Sequence, residues 1–111
     1  VLLDERDDLL GVVRVAQGNR SRAEVDVRPI VACACEVDAV GVVLVHNHPS
    51  GGVEPSAGDI ATTDALARAL AALGLRLLDH VIVATGGYTS LSERGCLVDP
   101  SPRFLADDQP F

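Results

Sequence analysis

Two apolar runs bracket a helix-length segment in this chain, and that arrangement limits the fold more than any other feature. The first, VGVVLVH (Val40 to His46), is a continuous β-branched stretch of the kind found in a strand covered on both faces. The second, LRLLDHVIVA (Leu75 to Ala84), reads as another buried strand. Between them, apolar residues recur at Ile60, Leu66, Leu70 and Leu73, a helix opened by Ser56 and closed by Gly74 as a C′ glycine. Upstream, VLLD, ERDD and LLGVVRVA predict a strand, a polar turn and a strand, hence a hairpin. After the loop QGNRSR, DVRPIVACACEVDA predicts a helix with Asp26 as N-cap and Pro29 in its first turn. TGG then turns the chain into YTSLSERG, the expected last strand, and DPSPRFLADDQPF has three prolines and no period, a surface tail. Helices interleaved with strands predict an α/β domain with a mixed sheet flanked by helices, spanning 1–98 with a tail over 99–111.

With 111 residues there is room for one compact domain, and 48% hydrophobic residues suffice to fill a core. Aromatics are scarce, so Val, Leu, Ile and Ala must build it. Net charge is −7, and all nine basic residues are Arg, with only a small group at Arg14, Arg20 and Arg22. An acidic, lysine-free chain makes a poor nucleic-acid groove, because phosphate binding draws on clustered positive charge. No apolar run approaches the roughly 20 residues that span a bilayer. Cys33, Cys35 and Cys96 are odd in number and lack metal-site spacing, so small buried thiols in a reducing cytoplasm are expected. If RPIVACACEVDA is a helix, Cys33 and Cys35 diverge by about 200° around it. There is no Met, even at position 1, and the chain is expected to be a piece of a longer protein.

HNHPSGGVEPSAGD, directly after the first apolar run, carries the chemistry. Along a strand, alternate side chains share a face, so His46 and His48 would lie on one side with Cα atoms about 6.7 Å apart. Two imidazoles at that separation can converge on one ion, and an open catalytic zinc site needs a third protein ligand. Asp59, one turn into the following helix, is the natural third, at the sheet edge where active sites of α/β domains collect. Each residue also has a plainer reading. The histidines suit a turn, and Ser56 with Asp59 suits a helix capping box, although such boxes favour the longer Glu or Gln.

This stretch matches the JAMM, or MPN, metalloprotease motif His-x-His-x7-Ser-x-x-Asp without a gap. With VLLD, LLDHVIV and YTSLSERG, the chain resembles the bacterial RadC-like branch from about Val1 to Leu97. The resemblance implies an MPN/JAB, cytidine-deaminase-like fold: a sheet between helices with one Zn2+ at its edge. It implies that His46, His48 and Asp59 ligate the metal, that Ser56 stabilises an oxyanion, and that peptide or isopeptide bonds of a protein substrate are cleaved. The family's general-base glutamate lies upstream of the strand matching VLLD; Glu5, Glu24, Glu36 and Glu54 do not match it, so peptidase activity is expected of the longer parent.

His80 is expected to be a buried histidine satisfied by Asp79 or by backbone, with a ligand-orienting role as the sharper reading; Ser90 and Arg94 are expected to make structural hydrogen bonds. Two other functions compete with hydrolysis. One is a catalytically silent MPN scaffold, which would have no need of the ligand triad. The other is an accessory role in DNA repair, which the acidic charge and the lack of a recognition helix oppose. A zinc deaminase would need H-x-E and P-C-x-x-C, and neither is present.

Overall fold

The structure, a computed structural model, describes residues 1–14, 26–48 and 51–97. Its elements are β1 (Leu2–Leu3), β2 (Leu9–Gly11), α1 (Arg28–Glu36), β3 (Gly41–Asn47), α2 (Ala57–Ala72), β4 (Arg76–Ala84) and β5 (Gly87–Ser90). They form one five-stranded sheet in the order β2-β1-β3-β4-β5. β3 and β4 run parallel, and the other neighbouring pairs are antiparallel. A parallel pair cannot be closed by a tight turn, so α2 serves as the crossover between β3 and β4. The mixed α/β architecture expected from the sequence is therefore present.

The N-terminal hairpin is present but short. Asp4 holds its turn, the carboxylate accepting from the amides of Arg6 and Asp8 at 2.8 and 2.9 Å. β2 stops at Gly11, so Val12 to Arg14, expected in the strand, lie beyond it, and Val12 is 71% exposed. Both helices end in Schellman motifs. In α2, Gly74 has φ +79 while the Leu75 amide reaches Leu70 O at 2.8 Å. In α1, Asp38 takes the left-handed position at φ 57 and the Ala39 amide reaches Ala34 O at 2.9 Å.

Ile30 and Ala34 of α1 and Leu66 and Leu70 of α2 join one core with Leu2, Val42 and Leu44. Leu2 pairs with Val42, and Leu44 lies two residues on, so these strand residues share one face and both helices cover it. Among the described residues no helix covers the opposite face: Val45 is 50% exposed, Val83 41% and Tyr88 62%. This corrects the expectation that Val40 to His46 forms a strand covered on both faces. A continuous apolar run reports hydrophobicity, not how many layers arrive to cover it.

A bulge phases β4. Val42 pairs with Leu77 and Val43 with Asp79, leaving Leu78 extra. Leu78 leans over Gly41, where an added Cβ would come within 2.7 Å of Cδ1, so a larger residue there would displace the bulge. With the extra residue absorbed, Leu44 pairs with His80 and His46 with Ile82, which turns His80 toward α2.

Three further expectations are corrected. β5 ends at Ser90, and 91–95 form turns, because Asp79 gathers that segment: its carboxylate accepts from the Ser92 amide at 2.9 Å and from the Ser90 hydroxyl. Asp26 stands one residue before the N-cap of α1, which is Val27 without a side-chain cap; the Asp26 carboxylate accepts from the Arg28 amide at 3.0 Å and also pairs with the Arg28 guanidinium at 2.8 Å. Cys35 and Cys96 are exposed and Cys33 half-buried, not buried thiols. The loop QGNRSR, Glu24 and the tail 99–111 lie outside the described residues. Among the described residues no helix is long and apolar enough to cross a membrane.

Candidate metal centre

The site forms where β3 ends and α2 begins. The backbone ladder continues past the strand, since the His48 amide donates to Val83 O at 2.9 Å, so His46 and His48 keep to one face. Their rings meet edge to face with centroids 4.8 Å apart. Across from them, Ser56 caps α2. Its hydroxyl oxygen accepts from the Asp59 amide at 3.0 Å, and the Ser56 amide donates to Asp59 Oδ2 at 2.7 Å, a complete capping box. The box aims the Asp59 carboxylate back at the histidines. Oδ2 lies 2.9 Å from His48 Nε2 and Oδ1 3.4 Å from His46 Nε2.

The capping reading and the ligand reading of Asp59 are thus compatible. Asp gives this box a short carboxylate that stays beside the helix start, where the histidines reach it. Asp59 is 7% exposed, and burial alone would raise its pKa. The Ser56 amide and hydroxyl and the two histidines outweigh that and hold it below the usual carboxylate range. His46 is shifted down by burial, against the pull of Asp59.

Proton positions test whether a cation fits. His48 Nδ1 lies 2.8 Å from Gly52 O, a carbonyl that can only accept, so this nitrogen carries the proton. In a neutral ring Nε2 then points a lone pair at Asp59 Oδ2, acceptor against acceptor at 2.9 Å. Only a second proton on the ring or a cation between the two relieves that contact. One ligand atom from each of His46, His48 and Asp59 lies within 4.8 Å of the others, so the group can hold a metal ion. The nitrogen-to-oxygen separations of 2.9 and 3.4 Å are close to the roughly 3.4 Å edge of a tetrahedron with bonds of about 2.0–2.1 Å.

A family model described as the RadC-like JAB domain matches residues 1–96. The chain belongs to the RadC-like JAB domain family. A UPF0758 protein of Stenotrophomonas maltophilia (strain K279a) is 43% identical over 105 residues, which cover 95% of this chain and 45% of that protein. UPF0758 proteins of Methylibium petroleiphilum and Bordetella avium are each 42% identical, over 87% and 86% of this chain and 44% and 42% of their own lengths. The chain thus spans less than half the length of these curated relatives.

The other candidates of this JAB domain stand apart from the triad. Glu54 is exposed and paired with Arg94 at 2.9 Å, while Glu5 and Glu36 are exposed on the hairpin turn and the end of α1. Ser90 serves Asp79 and the Glu93 amide. Asp79 accepts from the backbone amide of His80, not from its ring. The His80 ring, 1% exposed, sits between His46 Nδ1 at 3.2 Å and Thr63 Oγ1 at 2.6 Å. Burial first, then the neighbouring His46, pulls its pKa down to about 4, so it is neutral at pH 7. Sequence reasoning passed over Thr63. Its signal was faint: Asp59, Thr63, Leu66 and Leu70 fall on one buried stripe of α2, so Thr63 is a polar residue at a core position.

Proposed function

We propose that this JAB domain is the zinc-binding portion of a metallohydrolase that cleaves peptide or isopeptide bonds. The observation that carries this reading is the juxtaposition of two imidazoles and one carboxylate, in which the one proton of a neutral His48 is taken by Gly52 O and the closest contact is left for a cation or a second ring proton to fill. His46 Nε2, His48 Nε2 and Asp59 are the ligands, three protein donors that leave a position open. Zinc bound there would lower the pKa of a coordinated water toward about 7 and polarise a carbonyl.

Ser56 is the catalytic residue of this chain. Its oxygen accepts from the Asp59 amide through a lone pair, so the hydroxyl proton is left to donate. A donor beside a developing oxyanion contributes by being held in place before the charge appears, and the capping box holds it. The Ser56 backbone amide steadies Asp59 while the side chain faces substrate. The proton shuttle is assigned to a glutamate of the longer parent, as the family pattern implies. The substrate is a peptide or protein, and nucleic acid is not proposed as a direct partner of so acidic a surface. A cytoplasmic setting, where Cys33, Cys35 and Cys96 stay reduced, completes the reading.

The test is elemental analysis of the purified chain beside His48→Ala. About one zinc per chain, lost in the variant, is the expected result. An absence of zinc after supplementation, or another metal such as manganese or iron retained instead, removes the zinc assignment. In the parent, Ser56→Ala is expected to keep the metal and slow turnover; unchanged turnover would leave Ser56 a helix cap alone.

A further inference from the structure

A chain of side-chain hydrogen bonds leads away from His46 into the core, and its proton count can be completed. Thr63 Oγ1 lies 2.8 Å from the carbonyl of Asp59, one helical turn earlier, and 2.6 Å from His80 Nδ1. His80 Nε2 lies 3.2 Å from His46 Nδ1. The hydroxyl has one proton, and a carbonyl can only accept. If Thr63 donates to Asp59 O, its oxygen must accept from His80 Nδ1–H. His80 Nε2 is then a lone pair that accepts from His46 Nδ1–H, and His46 Nε2 is left bare on the side of His48 and Asp59. Every contact in the chain has one proton.

The reverse direction fails at its first link. If Thr63 donated to His80, its oxygen would face the Asp59 carbonyl at 2.8 Å with no proton between them. His46 would also have to carry its proton on Nε2 and donate to Asp59 Oδ1 across 3.4 Å, the longest separation in the set. The contact lengths therefore favour the first arrangement along the relay, and its one cost, the His46 Nε2 lone pair facing Asp59 Oδ1 at 3.4 Å, is the contact a cation would relieve.

We propose that Thr63 and His80 are positioning residues that fix His46 in its Nδ1–H tautomer, keeping the Nε2 lone pair on the metal position. A neutral histidine in water populates both tautomers, and one of them presents N–H to the ion and cannot ligate it. His48 is set in the same way by Gly52 O, close by in sequence. Among the described residues His46 has no such local partner and is set through β4 and α2. The donor is a core threonine whose hydroxyl is anchored on the backbone of Asp59, so one turn of α2 governs two members of the triad. This inference rests on the metal reading above only for its consequence; the tautomer itself is a property of the chain without metal.

The experiment is a long-range proton–nitrogen NMR spectrum of the 15N-labelled full chain at pH 7.5 without metal, followed by Zn2+ titration of the wild type, Thr63→Val and Thr63→Ser. A pyrrole-type Nδ1 and pyridine-type Nε2 on His46 are expected in the wild type. Thr63→Val, which keeps the shape and removes the hydroxyl, is expected to mix the two tautomers and weaken Zn2+ about 10- to 100-fold, the range found when a ligand-orienting partner is lost. Thr63→Ser should restore both readouts. A wild-type His46 protonated on Nε2 overturns the proposal whether or not any variant folds. A folded Thr63→Val with wild-type tautomer and affinity overturns it as well. The expected tautomers without Zn2+ binding would overturn the metal reading and leave the relay standing.

Discussion

The two helices begin differently. α1 starts at a valine without a side-chain cap, with no acid in its first turn and with Asp26, one residue earlier, shared between the amide and the guanidinium of the exposed Arg28. α2 starts at a complete capping box whose acid also faces two histidines. Both helices settle in the same core and both end in Schellman motifs, so packing and termination do not separate them. What separates them is that the start of α2 is held from outside the helix. Ser56 and Asp59 satisfy amides that any helix start leaves open, and in doing so they orient a carboxylate. The cap and the site share their atoms.

The largest effect should come from the core beneath α2. Leu66→Ala, at a side chain 0% exposed, is expected to cost about 2–5 kcal/mol in urea unfolding. Val31→Ala on α1, at a half-buried residue, is expected to cost less. Equal losses would mean that the helices are anchored alike. Next, Asp59→Asn is expected to keep an acceptor for the Ser56 amide and a folded chain. It should weaken Zn2+ by more than the roughly 100-fold loss typical of groups that only orient ligands. Calorimetric titration giving wild-type affinity would remove Asp59 from the ligand set.

The pH dependence of stability without metal comes third. His80 is held near pKa 4 against an ordinary 6.5, so between these values the unfolded chain takes up a proton that the folded chain refuses. Its contribution is complete above about pH 6.5 and declines as pH falls toward about 4. Asp59, held below its ordinary 3.8, adds a further loss only at still lower pH. In a series of urea midpoints, His80→Gln should flatten the slope from pH 6.5 to 4; an unchanged slope would assign it to other groups. The smallest effect is the cap itself. Ser56→Ala is expected to cost about 1 kcal/mol with metal still bound, whereas Asp26→Ala, which removes an exposed contact to the Arg28 amide, should move the unfolding midpoint less. If the two matched, the difference between the helix starts would be one of geometry alone.

Much of this protein was legible along the chain. The strand and helix runs, Gly74 as a helix stop, the hairpin and the grouping of His46, His48, Ser56 and Asp59 all rest on signals that act over a few residues: side-chain period, turn chemistry and capping. The same locality explains the misses. Asp26 looked like the cap because it precedes Pro29, but it stands one residue too early, and its carboxylate divides between the Arg28 amide and the Arg28 guanidinium. Val45 looked buried because its neighbours are apolar, yet exposure depends on which layers arrive. Tertiary structure alone decided the wiring of the site. His80 meets His46 across 34 residues and Thr63 across 17, contacts that exist only once β4 lies beside β3 with the bulge at Leu78 and α2 packs over both. A hydrogen bond needs its partners within a few tenths of an ångström, and for residues far apart in the chain only the packed fold holds them to that distance.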